Sequence, residues 1–257
     1  QHATARLVVC ADGRNSQSRP RAGFAVNHDK PRLAIAGHLM RNLDVRPDAV
    51  HFVYAPTVHP QVTIILPLPV SRSRVYFAFH RDGGIGSLGG PKQVGAFVAN
   101  CLAMGTPAAW LAPAESIGPL ALYQGADTWV ADPYHDGIVL IGDAAAASDP
   151  AWGSGLALSL RDVRTLRDSL AADPGDWHRA AAAYAVEHAR YYGVLHTMED
   201  WMTELLYAPG VEAAQRRGRV FEWRAREPAT ALGIVGVGPD SDVSDHARRR
   251  LWGEDQP

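Results

Sequence analysis

A chain of 257 residues, 47% hydrophobic and 20% charged, has globular composition and room for one large domain or two smaller ones. Its 25 Lys and Arg against 27 Asp and Glu leave a formal net charge of -2, a balance that points away from nucleic acid and membrane surfaces and toward small-molecule partners. Cys10 and Cys101 lack neighbours at metal or redox spacing and are expected in the core of a protein in a reducing compartment. No apolar run approaches the roughly 20 residues of a membrane span, no signal peptide is visible, and the expected location is the cytoplasm.

From its first residue, Gln1, the chain enters a strand pattern almost at once, Ala5-Arg6-Leu7-Val8-Val9-Cys10, as if inside a domain, so further sequence is expected upstream. The next segment, Ala11-Asp12-Gly13-Arg14-Asn15-Ser16, has turn composition, with Asp-Gly favouring a tight reversal. Four short β-type runs follow: Leu33 to Met40, Val50 to Tyr54, Val62 to Leu66 and Arg74 to Phe79. Asp, Pro and Ser separate them, which predicts an antiparallel sheet rather than βαβ units. Val94, Phe97, Val98, Cys101 and Leu102 recur at helical spacing within residues 92–102.

The run Gly137-Ile138-Val139-Leu140-Ile141 is continuously apolar, as in a strand buried on both faces, and stops at Gly142-Asp143. Beyond Pro150 the pattern turns helical. Leu156, Leu160, Val163, Leu166 and Leu170 mark one face, with Arg161, Arg164 and Arg167 on others. A longer helix then carries Trp177, Ala181, Tyr184, His188, Tyr191, Leu195, Met198, Met202 and Leu205 in alternating steps of four and three. That spacing is a packing seam, which Gly193 allows to bend or approach closely. In the tail from Gly233 to Pro257 only the stretch around Leu251-Trp252 is expected to dock.

The chemistry concentrates between residues 142 and 156. An aspartate at the carboxyl end of a buried strand accepts hydrogen bonds from ligand hydroxyls, and Gly142 before it removes a side chain where backbone and ligand approach. Asp143 is therefore a candidate for a ribityl-type polyol. Gly153-Ser154-Gly155, leading into Leu156, opens a helix whose free N–H groups favour negative charge. Pro150 supplies a rigid bend, and Trp152 a large apolar surface beside it. Each feature alone describes an ordinary strand exit or helix start; in this order they predict a ligand site.

This segment resembles the second flavin motif of the group A FAD-dependent monooxygenases, the 4-hydroxybenzoate hydroxylase-like flavoproteins. The stretch from Cys10 to Arg19 resembles the Asp-Gly motif of the same family. The resemblance implies FAD as cofactor, NAD(P)H as co-substrate and O2 as oxidant. A flavin hydroperoxide would hydroxylate an aromatic or polyketide-like small molecule. It also implies that Asp143, with Gly142, binds the ribityl chain, that Pro150 lies against the isoalloxazine, and that the amides of Gly153, Ser154, Gly155 and Leu156 face its pyrimidine edge. Asp12 would support the phosphate region, with Arg14 and Arg19 as nucleotide or structural contacts.

The implied fold is α/β (α+β): a partial FAD-binding domain, residues 1–30 and 118–172, interleaved with an antiparallel substrate-binding sheet, residues 31–117, and followed by a C-terminal helical region, residues 173–257. The family's Gly-rich unit for the ADP half of FAD has no counterpart here, so an upstream segment or a second chain is expected to supply it. Ala146 stands where many members carry His.

Other signals are weaker. Gly84-Ile85-Gly86-Ser87-Leu88-Gly89 matches a dinucleotide fingerprint, but no second parallel strand with a terminal acid follows, so a substrate-domain loop is expected. His28, His38, His51, His59 and His80 lack metal-ligand spacing, and no metal is expected. Asp240, Asp242 and Asp245 read as a solvated tail rather than a calcium loop. The cluster Arg216-Arg217-Gly218-Arg219 reads as a charged helix surface beside Glu212 and Glu222. No acid-base residue is assigned; Tyr54, His51 and His80 lie on the sheet and face either the flavin, the core or solvent. The rival readings are a halogenase or reductase of the same fold and, in another class, a non-catalytic ligand-binding remnant or subunit.

Overall fold

The computed structural model describes residues 4–55, 60–226 and 238–254, which divide between two compact units. One draws on residues 1–30, 126–199 and 232–243, the other on 31–125, 200–231 and 244–257. The first unit begins with β1 (Val8–Cys10), the short helix α1 (Ser18–Arg21) and β2 (Val26–His28). The second follows as β3 (Leu33–Arg41), β4 (His51–Tyr54), β5 (Gln61–Leu68), β6 (Arg72–His80), α2 (Val94–Ala103), α3 (Ala108–Leu111) and β7 (Glu115–Gly125). The chain returns to the first unit with β8 (Thr128–Val130), β9 (Tyr134–His135), β10 (Ile138–Leu140), β11 (Ala146–Ala147) and α4 (Gly155–Ala172). It continues through α5 (Trp177–Tyr207), α6 (Val211–Arg226) and α7 (Asp245–Leu251). The expected α+β class is the fold observed. No helix among the described residues is long and apolar enough to cross a membrane.

In the second unit β4, β5, β6, β3 and β7 form one antiparallel sheet in that order. Alternation explains its inner face. Val75, Phe77 and Phe79 of β6 are buried and pack with Phe97 and Cys101 of α2, and burial pushes the Cys101 thiol up to about 12. Residues 118–125, expected with the flavin-binding part, belong to this sheet. Pro119 breaks the strand pattern in sequence, but β7 is an edge strand, where a missing N–H is tolerated, and its register with β3 shifts between His38 and Met40. The segment from Gly84 to Gly89 is a loop between β6 and α2; β6 and β7 both run antiparallel to β3 and are therefore parallel to each other, so a second parallel strand does follow α2, split from β6 by β3, and its acid, Glu115, stands at its start rather than its end.

Arg217 departs from the expected charged surface. It is 1% exposed, and its Nη1 donates to the carbonyls of Ala208 at 2.7 Å and Leu205 at 3.4 Å. The last carbonyls of a helix lack in-helix donors, and a guanidinium satisfies them with favourable charge. Arg224 likewise donates to Leu251 O at 3.0 Å, while Arg216 and Arg248 stack on Trp252 at 4.6 and 4.8 Å. Replacing Arg217 by Ala is expected to cost about 3 kcal/mol, because buried carbonyls lose a charged donor and a void is left. A shift in the urea midpoint with unchanged slope checks this.

The first unit carries two small sheets, β1-β10-β9 and β11-β8-β2. β1 and β10 are parallel, Val8 opposite Ile138 and Cys10 opposite Leu140, and Val139 and Leu140 are fully buried. The α5 seam lies where its spacing predicts: Ala181, Tyr184, His188, Tyr191, Leu195, Met198, Met202 and Leu205 are all buried. No neighbour stands within 4 Å of a side chain built on Gly193, and one uninterrupted helix passes through it. The face expected for α4 holds only in its second half, where Leu166 is buried and Leu170 packs beside it. Leu156, Leu160 and Val163 are 73%, 63% and 51% exposed, and the buried stripe is Leu158, Asp162 and Leu166. A carboxylate on that stripe disguises it as polar in any apolar-periodicity reading.

Candidate functional site

The turn after β10 is fixed from beneath. Ile141 N–H extends the ladder to Cys10 O at 3.0 Å, and Gly142 then takes φ +60, a left-handed conformation that favours glycine. A Cβ there would also lie 2.8 Å from Ser159 Oγ. The Gly142 N–H donates to Asp162 Oδ2 at 2.6 Å. Asp162 is wholly buried; its other oxygen accepts from the Tyr191 hydroxyl and sits 3.0 Å from His188 Nδ1. The Tyr184 hydroxyl donates to Leu140 O at 2.9 Å, and burial first, then the charge of Asp162, pushes its ionisation far above the usual tyrosine range. Asp162 and His188 thus form a polar floor under the strand exit.

Asp12 is occupied within its own loop. Oδ1 accepts from Ser16 Oγ at 2.7 Å, and Oδ2 from Gln17 N at 2.8 Å and from Ser18 N and Oγ at 3.0 Å. The Ser16 hydroxyl leads the causes that hold its carboxyl well below the usual range. Two arginines tie this loop to the later motif. Arg14 donates to Ala126 O at 3.0 Å and to Ser148 O. Arg19, 4% exposed, donates from Nε to Ala144 O at 2.6 Å and from Nη2 to Asp143 O. The two motifs, more than a hundred residues apart in sequence, are one scaffold.

A cavity of about 460 Å3 opens between them, lined by Ala11 and Gly13 from the first loop, Gly142 and Asp143 from the second, and Gly155, Leu156 and Ser159 from α4. The Asp143 carboxylate accepts no hydrogen bond among the described residues, and Arg19 is its charged neighbour. A Cβ built on Gly155 would stand 3.5 Å from its Oδ1, in ordinary van der Waals contact.

The loop between the motif halves is held by a second buried acid absent from the sequence reading. Asp127, 5% exposed, accepts from Asp149 N at 2.8 Å and from the Tyr192 hydroxyl at 2.9 Å, and burial raises its pKa. Pro150 then turns the chain, with Gly153 N–H reaching Pro150 O at 3.2 Å. Ser154, at the N-cap of α4, makes no side-chain cap; its hydroxyl donates instead to Glu199 Oε1 at 2.6 Å. The first-turn amides of α4, at Gly155, Leu156 and Ala157, therefore lack the usual serine acceptor. Gly153 and Ser154 border a second cavity of about 650 Å3 across α4 from the first, with Trp152, Ala157 and Arg161.

The sequence-predicted residues are thus distributed. Gly142, Asp143, Gly155 and Leu156 share one cavity, Gly153 and Ser154 line the other, and Asp12 and Arg14 brace the scaffold. Tyr54, His51 and His80 lie in the other unit. The Tyr54 hydroxyl donates to Leu206 O at 2.9 Å, His51 Nε2 is 3.0 Å from Arg46 O, and His80 Nδ1 accepts from Asp82 N at 3.1 Å. Asp127, Asp162 and Glu199 carry no local sequence signal, and His188 is marked in the sequence only by its place on the α5 packing seam. Among the described residues no group of three His, Cys, Asp or Glu side chains is placed to hold a metal.

Residues 1–182 match a family model described as an FAD binding domain. The ubiquinone hydroxylase UbiL of Rhodospirillum rubrum is 34% identical over 185 residues, covering 68% of this chain and 41% of its own. Among solved structures, Klebsiella pneumoniae HpxO complexed with FAD and uric acid matches 91% of this chain and 61% of its own at TM-score 0.71 and 15% identity. A triple mutant of the flavin-dependent brominase Bmp2 matches 97% and 62% at TM-score 0.69 and 14% identity. The two structures establish likeness of fold. The chain spans about two fifths of the curated relative and about three fifths of these solved chains.

Proposed function

The chain belongs to the FAD binding domain family, and from that membership we propose that it forms the riboflavin-holding part of a group A-type, FAD-dependent monooxygenase. The observation that carries this reading is the cavity between the two motifs, with the open Asp143 carboxylate on one side and the uncapped first turn of α4 on the other. Its residues fit the cofactor: Gly142 stands where a Cβ would clash with Ser159, and the Asp143 carboxylate faces the cavity. Asp143 would hold ribityl hydroxyls, Pro150 would flank the ring, and the amides from Gly153 to Leu156 would face its pyrimidine edge. Bound FAD, reduced by NAD(P)H, supplies oxygen activation and transfer of one oxygen atom to an aromatic or polyketide-like substrate. The protein's part is to hold the ring, exclude water and offer oriented dipoles to negative charge.

Hydroxylation is favoured over halogenation or simple reduction by the 34% identity to a hydroxylase. The ADP half of FAD is assigned to a separate unit, in the same polypeptide or a second chain. Leu156, Leu160 and Val163 of α4 leave an exposed apolar stripe of the kind that another structural unit covers.

Titration of the purified chain with FAD tests the reading. Bound-flavin absorbance is expected, and Asp143→Ala is expected to weaken the affinity about tenfold or more through loss of charged hydrogen bonds. A colourless protein that takes up no FAD, alone or with an ADP-binding unit supplied in trans, supports the ligand-binding remnant instead. NADH and NADPH oxidation with and without candidate phenols separates monooxygenase from reductase.

A further inference from the structure

Ser154 turns away from the helix it would normally cap, and the group that draws it is a buried acid on α5. Glu199 is 7% exposed, its Oε1 accepts from Ser154 Oγ at 2.6 Å, and its Oε2 has no hydrogen-bond partner. Among the described residues no cation is paired with it. Facing it are Asp127, ahead of β8, and Asp149, in the loop before α4, both acids; on its own helix stands Tyr192, whose hydroxyl is committed to Asp127. The nearby His196 is paired with Asp29 at 2.6 Å. A buried carboxyl among acids and without a countercharge is held in its neutral form.

We propose that Glu199, latched by Ser154, is a charge gate for the ligand site: while uncharged it leaves the N-terminus of α4 to an anionic ring edge, and when ionised it takes that end of the helix for itself. The N-terminal end of the helix acts as roughly half a positive charge, so a carboxylate beside Ser154 competes with a ligand anion for it and repels that anion. Burial, reinforced by Asp127 and Asp149 and opposed by the Ser154 hydrogen bond, places the titration at about 9. The gate is therefore open at neutral pH and closes in mild alkali.

The inference rests on the flavin reading above, and its test separates the two. Affinity for FAD reduced with dithionite is measured by anaerobic calorimetry in wild type, Glu199→Gln and Ser154→Ala. Wild type is expected to lose about tenfold per pH unit once the carboxyl ionises. Glu199→Gln, which cannot ionise, is expected to give a profile that changes by less than about threefold over the same range. Ionisation of the flavin ring itself affects both alike. Ser154→Ala removes the one contact that favours the carboxylate, so its fall moves to higher pH; this variant keeps the test open if Glu199→Gln does not fold. Equal slopes in wild type and Glu199→Gln, or no displacement in Ser154→Ala, overturn the gate and leave the flavin reading standing. Absence of binding in every protein at every pH, with an ADP-binding unit supplied in trans as well as without, overturns both.

Discussion

Asp162→Ala is expected to destabilise the protein by about 3–5 kcal/mol, the cost typical of removing one member of a buried charged network. The side chain has no exposure, and three donors or partners depend on it: the Gly142 N–H, the Tyr191 hydroxyl and the ring of His188. Alanine leaves all three facing a void. Asn is expected to restore part of the loss, since it keeps one acceptor oxygen but presents N–H groups to the other donors. Urea unfolding of both variants measures the difference. A loss below about 1 kcal/mol would show that the turn does not depend on this carboxylate.

Arg19→Met is expected to cost about 3 kcal/mol and to weaken FAD uptake as well. Methionine approximates the arginine stem but supplies no donors, so the carbonyls of Asp143, Ala144 and Arg14 lose their partner at once. The first two belong to the turn that presents Asp143, so stability and ligand affinity should fall together. Lysine is expected to recover less than half of the loss, because a single ammonium cannot span carbonyls that a planar fork reaches. Chemical denaturation paired with FAD titration checks this. A variant that unfolds more easily yet binds normally would assign Arg19 to the scaffold alone.

Much of this architecture is written in periodicity. The alternation of β6 and the four-three seam of α5 are each repeated often enough that tertiary context cannot erase them. α4 shows the limit. Its first apolar residues, Leu156 to Val163, are uncovered in the structure, and its buried stripe is interrupted by Asp162, so counting apolar residues selects the buried face only from Leu166 onward. Arg217 failed for a related reason: charge predicts solvent unless a helix end lies within reach, and Ala208, just past the end of α5, stands nine residues earlier in the chain. The site divides in the same way. Gly142, Asp143 and the glycines before α4 are contiguous and carry their own conformational signature. Asp127 and Glu199 reach the site from other segments, and only the folded chain places them beside Asp149 and Ser154.

The chain leaves the first unit after β2 and returns to it before β8. His28 of β2 is paired with Thr128 of β8, and Asp29 N–H bonds to Asp127 O at 3.0 Å; within the sheet, Leu33 lies opposite Gly125. Parallel pairing of β1 with β10 joins Val8 to Ile138, a separation that in an open chain carries a heavy loop-closure entropy. Once the sheet has formed, its ends are already neighbours, and the excursion behaves as a short hairpin connection. The nominal contact order of the ligand-binding turn is therefore much larger than its effective one, and folding that begins in the sheet gives the slow parallel pairing a short path.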